Sequence, residues 1–451
     1  MRDIVIVMSD QHSGLKTSLS DEIARTPNIE KLTETGQYFE NAYCNFPLCV
    51  PSRMSFLTGK HPSELGILDN DVILDDCQET IADKMTRQGY RTILVGRMHF
   101  KGENQLHGFT ERYVGDITTQ FWNLKREDLG AFEGTMNVKG CLNEYGYGTS
   151  PVMQFDEAVV RKAVELLKEK NDQPLFMLVG LYGPHFPYCV EKKYFDNYFN
   201  QDLKLQDYHL DCFEEYEAMR LKADAGTLQN IRSAYYGMIE KLDQQIGEIH
   251  QAARSNHQDC IFIYTSDHGD QIGKRGLFGK KTFYEDSIRI PLIVEDLKKP
   301  AEKHLNEVSL LNLHQYLAQQ IGLDLKTPGL NNRKPVLVNS LIKKDDRKIV
   351  TQAVIYRRYK YVVFEDEERL FNLSLDKDEK NNIISQYPDI AAKLKKSLIS
   401  SKKAAKNYQK KREELKAIIK EYEKNPKKDW IRYRIKKEAT VKPERGDYEK
   451  V

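Results

Sequence analysis

The chain has 451 residues, 40% of them hydrophobic, which is too long for one small domain and suits a large α/β domain with a smaller one beside it. Lys and Arg number 69 against 67 Asp and Glu, a formal charge of +2, so the overall balance points to no polyelectrolyte partner such as nucleic acid. Seven cysteines (44, 49, 77, 141, 189, 212 and 260) are widely spaced and include no CxxC pair, which fits reduced thiols better than a disulfide framework. No stretch approaches a membrane span, and the apolar run at 4–8 is too short for the core of a secretion signal. The expectation for the chain as it stands is a cytoplasmic protein. With a trimmed export signal it becomes a periplasmic or secreted one.

In chain order, short apolar runs alternate with helix patterns. Residues 4–8 read as a strand. Thr26 and Pro27 suit a helix start, and Gly36 a stop. Residues 52–58 suit a helix that Gly59 ends, which puts Cys49 at a helix N-terminus, where amide donors and the dipole favour an anion. Residues 79–88 form the next helix candidate, ending at Gly89, and 92–95 the next strand. A helix is predicted over 156–170, a strand over 175–181, a long helix over 228–253, and strands over 261–265 and 291–294. This alternation predicts a large, mostly parallel sheet sandwiched by helices. From residue 346 the pattern changes to a small antiparallel sheet (349–354, 359–364, 370–373) and a Lys-rich helical tail. The predicted division is a main domain over 1–345 and a C-terminal α+β subdomain over 346–451. Residues 401–430 hold 11 Lys and Arg against 5 Asp and Glu. With few aromatics among them, a solvated amphipathic helix is favoured over a nucleic-acid arm.

Ligands of open α/β sheets bind beyond the carboxyl ends of the strands. Four polar clusters follow predicted strands: Ser9-Asp10-Gln11-His12, Gly96-Arg97-Met98-His99, Tyr182-Gly183-Pro184-His185, and Ser266-Asp267-His268-Gly269-Asp270. Placed at the same end of neighbouring strands, they converge on one pocket. Asp10 and Asp267 are the natural oxygen pair for a divalent cation, with Gln11 and His268 as neutral ligands. A lone Asp after a strand is more often a cap or turn residue. Two such clusters beside an anion-favouring helix start make the cation reading preferable.

Cys49-Val50-Pro51-Ser52-Arg53, followed by Leu57-Thr58-Gly59, resembles the signature of the type I sulfatases, a family of the alkaline-phosphatase-like superfamily. Further matching elements occur in order along the chain. They are Asp10-Gln11, Gly96-Arg97-Met98-His99 (with Arg97 where the family has Lys), Gly183-Pro184-His185-Phe186-Pro187, Ser266-Asp267-His268-Gly269, and Lys280-Lys281-Thr282-Phe283-Tyr284-Glu285. The stretch from His99-Phe100-Lys101-Gly102 to His107-Gly108-Phe109 resembles the choline-sulfatase and phosphonate-monoester-hydrolase branch. The resemblance implies that a maturation enzyme oxidises Cys49 to formylglycine. One hydroxyl of its hydrate attacks sulfur, and the other later loses a proton and expels sulfate. It implies a Ca2+ ion (Mg2+ and Mn2+ remaining open) held by Asp10, Gln11, residue 49, Asp267 and His268. It further implies that Arg53 holds the diol hydroxyl, His99 deprotonates it, Arg97 and Lys280 bind sulfate oxygens, and His185 protonates the leaving alcohol. Lys281 is a weaker candidate than Lys280. For His12 and His107, packing roles are favoured over pocket roles.

The expected function is hydrolysis of an organic sulfate ester, either a sulfated carbohydrate or a small alkyl or aryl sulfate. The alternative is a phosphonate monoester or phosphodiester hydrolase using the same site. The expected partners are the sulfate ester and the formylglycine-generating enzyme, with no nucleic acid and no membrane; a homo-oligomer is left open. Specificity is expected in the loops 109–151 and 188–226, the first bearing Trp122, Tyr145 and Tyr147 as stacking candidates.

Overall fold

Strands buried on both faces read as continuous apolar runs, and Ile4–Asp10 is buried at every position. It lies parallel to Leu175–Pro184 on one side and to Ile261–Ser266 on the other. Arg91–Gly96 extends the parallel set next to Leu175–Pro184, and Glu111–Tyr113 forms that edge. On the opposite side Leu292–Glu295 runs antiparallel to Ile261–Ser266, and Gln37–Phe39 and Glu302–His304 complete an eight-stranded sheet. The molecule is seen in a computed structural model, which describes residues 1–116, 142–170, 172–325, 328–344, 346–424 and 448–449.

The period-2 alternation of a strand sends its side chains to two separate cores. Ile4, Ile6 and Met8 pack with helices Cys49–Thr58, Ile81–Arg87 and Leu310–Gln320. Val5 and Val7 pack with Pro27–Thr35, Pro151–Leu167 and Ala225–Asn256. The predicted sandwich is therefore present. Helix starts differ from expectation for local reasons. Pro151–Leu167 begins before 156 because Ser150 accepts the Met153 N–H and Pro151 fills the first position. Thr26 does not cap its own helix; its hydroxyl accepts the Ser18 N–H at 2.8 Å.

The helix begun at Cys49 starts three residues earlier than predicted. Leu48 is extended, and Pro51 is tolerated in the first turn, where no intrahelical N–H bond is lost. Gly59 ends it at φ 68° and donates to Ser55 O. A Cβ there would meet the His314 ring at 2.5 Å, so both conformation and space require glycine.

A four-stranded antiparallel sheet follows: Val336–Lys344, Arg347–Tyr356, Tyr359–Phe364 and Glu367–Asn372. Its first strand precedes residue 346. Val336, Val338, Ala353 and Phe371 share one apolar core with Phe56 and Leu57 of the Cys49 helix. Fully buried Lys360 donates to Phe283 O at 2.7 Å and Glu285 Oε1 at 2.9 Å, and lies 2.6 Å from Glu379. The Lys-rich helix Ser401–Lys424 is docked along one face, with Ala404, Tyr408 and Leu415 buried. Its Lys411 pairs with Asp75, and Arg412 lies 3.5 Å from Asp69 and 3.7 Å from Asp71. Among the described residues, no helix is long and apolar enough to cross a membrane.

Candidate active site

The carboxyl ends of the central strands meet the N-terminus of the Cys49 helix. Cys49 Sγ lies 3.0 Å from Lys280 Nζ, 3.3 Å from His268 Nε2 and 3.6 Å from Asp10 Oδ1. The candidate ligand atoms of Asp10, Cys49, Asp267 and His268 are all within 4.8 Å of one another, and all four residues are buried.

Arg53 grips both carboxylates. Its Nε donates to Asp267 Oδ2 at 2.8 Å and its Nη2 to Asp10 Oδ2 at 3.2 Å. Its remaining contacts are the carbonyls of Arg97 and Ser9 at 3.1 and 3.3 Å. These four donors go to the carboxylates and the backbone. The other carboxylate oxygens, Oδ1 of Asp10 and of Asp267, lie 3.6 and 3.5 Å from His268 Nε2. Burial opposes charge on Asp10, yet Arg97, Lys280, His185 and Arg53 together hold its carboxyl well below the usual range.

The donor set fits a divalent cation. His268 Nδ1 donates to Gly269 O at 3.0 Å, which leaves the Nε2 lone pair toward the carboxylates. Gln11, held at φ 72°, donates its N–H to Asp267 Oδ1 at 3.1 Å and its side-chain amide to Asp270 Oδ2 at 2.5 Å. Its buried Oε1 has no hydrogen-bond partner among the described residues, and such an atom needs an electropositive neighbour. Two carboxylates, an amide oxygen and one imidazole form an oxygen-rich set of the kind hard cations take.

Arg97 organises the second half of the site. It donates to Asp10 Oδ2 at 2.5 Å, Asp116 Oδ1 at 3.0 Å and His99 Nδ1 at 2.9 Å. Its guanidinium carbon lies 4.1 Å from the centroid of the Tyr182 ring. A guanidinium only donates, so His99 Nδ1 accepts and the ring proton sits on Nε2. Burial first, and Arg97 next, hold His99 well below the ordinary histidine value, so the ring is neutral. Its buried Nε2 has no hydrogen-bond partner among the described residues. In this arrangement the ring proton of His99 is held on the cleft side. Asp116 fixes this arrangement, because its Oδ2 also accepts the His99 N–H at 2.8 Å. The sequence reading missed Asp116, which follows a three-residue strand and belongs to no motif. Asp116→Asn turns one acceptor into a donor facing a donor. It is expected to lower kcat by about 10–100-fold, measured by steady-state kinetics, and to lower the thermal unfolding midpoint as well, because the buried ion pair with Arg97 is broken.

His185 donates Nδ1–H to Phe186 O at 2.8 Å, which leaves Nε2 to exchange a proton. Burial, then Lys280, depresses its pKa well below the ordinary value. Cys49, Arg97, His99, His185 and Lys280 all line one cleft of about 550 Å³. The loop 188–226 contributes Glu215, Ala218, Met219 and Leu221 to the same walls. His12 and His107 take packing positions. His12 bonds Tyr264 Oη at 2.6 Å and Lys16 O at 3.0 Å, and His107 packs on Phe100 with centroids 4.6 Å apart. Tyr145 bonds Thr227 Oγ1 at 3.2 Å and Tyr147 packs on Phe195. Trp122 lies outside the described residues.

Known proteins resemble this chain over most of its length. The choline-sulfatase of Rhizobium meliloti (strain 1021) is 29% identical over 427 residues, which cover 84% of this chain and 82% of that protein. The arylsulfatase of Clostridium perfringens (strain 13 / Type A) is 26% identical over 449 residues, covering 88% and 93%. Among solved structures, the phosphonate monoester hydrolase of Agrobacterium radiobacter superimposes with a TM-score of 0.71 at 18% identity, covering 93% and 96% of the two chains. A structure solved with its substrate D-glucosamine-2-N,6-O-disulfate gives a TM-score of 0.69 at 18% identity, covering 96% and 100%. At these identities the structural likenesses speak for the fold. The family model described as Sulfatase matches residues 2–323. That match spans well over half of the chain, which therefore belongs to the sulfatase family and is a sulfuric ester hydrolase.

Proposed function

We propose that the chain hydrolyses the sulfate ester of a carbohydrate or a small alcohol, using formylglycine formed from Cys49 by a maturation enzyme, beside one divalent cation, most simply Ca2+. The observation that carries this reading is the convergence of Cys49, Asp10, Asp267 and His268 within 4.8 Å, with Lys280 Nζ 3.0 Å from the cysteine sulfur. Asp10, Gln11, Asp267 and His268 would hold the ion together with residue 49. When present, the cation supplies Lewis-acid polarisation of the ester, and the formylglycine hydrate supplies one oxygen to attack sulfur and a second to expel sulfate.

The chain's own residues do the rest. Arg53 fixes the two carboxylates, so that each keeps its Oδ1 on the side of His268. Lys280 and Arg97 set positive charge beside the sulfate oxygens, where charge develops in the transition state, an arrangement that is most effective when preorganised. His99 offers Nε2–H to the same anion. His185 exchanges a proton at Nε2 with the leaving alcohol, and the arriving anion favours its protonated form.

The test joins maturation to turnover. After co-expression with a formylglycine-generating enzyme, peptide mass spectrometry is expected to find the Cys49 thiol replaced by an aldehyde. The matured protein is expected to release sulfate from an aryl sulfate faster than it cleaves the matching aryl phosphonate. An unconverted Cys49 together with full activity would overturn the nucleophile. A reversed preference would move the reading to phosphonate monoester hydrolysis.

A further inference from the structure

The cleft walls hold a charge that the proposed chemistry leaves unused. Beyond the reaction centre, the charged lining residues among the described ones are Asp69, Glu215, Lys281, Lys343 and Lys348. Both acids are already paired. Glu215 accepts from Arg369 Nη1 at 3.1 and 2.9 Å. Asp69 takes Tyr408 Oη, Lys348 at 3.3 Å and Arg412 at 3.5 Å. Lys343 pairs with Asp346 across its own hairpin, both side chains being largely exposed, and such a pair holds little. Lys281 is exposed to the cleft, and among the described residues no carboxylate lies within ion-pair distance of it.

Lys281 is also built in. Its φ is 77°, a left-handed conformation that glycine adopts at least cost. The strained backbone is pinned on both sides. Its N–H donates to Pro47 O at 3.1 Å, two residues before Cys49, and its carbonyl accepts from Ser340 Oγ at 3.0 Å. The preceding residue is Lys280, at the sulfur of Cys49. Adjacent Cα atoms are about 3.8 Å apart. The cation of Lys281 therefore begins one residue from the group that meets the scissile sulfate.

We infer that Lys281, in a cleft that Lys343 also lines, forms a subsite for a second anionic group on the substrate, a sulfate or carboxylate on the same sugar or its neighbour. This rests on the sulfatase reading above and narrows it to polyanionic carbohydrate. A substrate alcohol bearing a fixed cation, such as choline, would bring like charge to Lys281 and find the lining acids already paired.

The experiment uses the full chain with Cys49→Ala, so that sulfate esters bind without turnover, and titration calorimetry at low and physiological salt. The probes are N-acetylglucosamine 6-O-sulfate, N-sulfoglucosamine 6-O-sulfate, a 6-sulfated N-acetylglucosamine linked to glucuronate, and choline O-sulfate. At least one doubly anionic sugar is expected to bind about tenfold or more tighter than the monosulfate, the effect of one charge-assisted contact. Which of the two does so identifies sulfate or carboxylate as the second anion. Choline O-sulfate is expected to bind most weakly. In Lys281→Gln the advantage should shrink to within about twofold, with affinity for the monosulfate unchanged. Lys281→Gly, which relieves the strained φ, should do the same. Equal affinities in the Lys281-containing protein, an advantage that survives both substitutions, or no measurable binding of any sugar would each overturn the inference. Failure of the matured wild type to release sulfate would instead overturn the proposed chemistry, and this binding comparison would still stand.

Discussion

Cys49→Ala is expected to reduce the turnover of an aryl sulfate to background. The residue opens its helix and places Sγ within 3.0 Å of Lys280 Nζ and 3.3 Å of His268 Nε2. Loss of a catalytic nucleophile costs on the order of 10⁶-fold in kcat. The side chain is small, so thermal unfolding should move little. Cys49→Ser separates the two halves of the proposed chemistry. Its hydroxyl can attack sulfur, but it has no second hydroxyl with which to expel sulfate. It is therefore expected to complete one transfer and stall, and intact-mass measurement should then find one added SO₃. Multiple turnovers by either variant at the wild-type rate would sink the assignment of residue 49.

Asp267→Ala is expected to lose the bound cation, the activity and a substantial part of the stability. Arg53 Nε donates to this carboxylate at 2.8 Å with both side chains fully buried. Removing one member of a buried ion pair costs about 3–5 kcal/mol, because the other charge is left uncompensated. Asp267→Asn keeps the volume and one acceptor. It should recover part of the stability while still weakening the ion, whose affinity follows ligand charge. Elemental analysis of protein purified without chelator reads the ion directly, independently of turnover. Chelation of the wild type should lower its unfolding temperature and added Ca2+ should restore it, since a ligand of the native state alone stabilises that state. Unchanged metal content in both variants would remove Asp267 from the cation site.

The strand-end clusters were legible in the sequence because each is local. Asp10, Arg97, His185 and Asp267 follow apolar runs, and a parallel sheet brings such ends together. The Cys49 helix was legible from Gly59, although its first residue was not, since an extended Leu48 lets the helix start before Pro51. What stayed hidden depends on pairs of distant residues. Nothing around Asp116 tells that it would take two donors, from Arg97 and from the His99 backbone. The proton position on His99 could not be read from a motif either, because a guanidinium that only donates decides it. Arg53 was identified by its place in the signature, while its grip on two carboxylates from separate strands exists only in the folded chain. The strand Val336–Lys344 also went unread, and it begins the antiparallel sheet before the expected boundary.

Buried Lys360 holds Glu285 and Glu379 at once, and Glu285 closes the segment that begins with Lys280. A chimera that exchanged the C-terminal third for that of a relative would need to deliver both a cation at 360 and an acid at 379. Losing the cation alone would leave two carboxylates facing each other, with Glu285 relying on Arg289 at 3.9 Å. The trio behaves as a lock between modules: recombination at this seam is safest when residues 360 and 379 travel together.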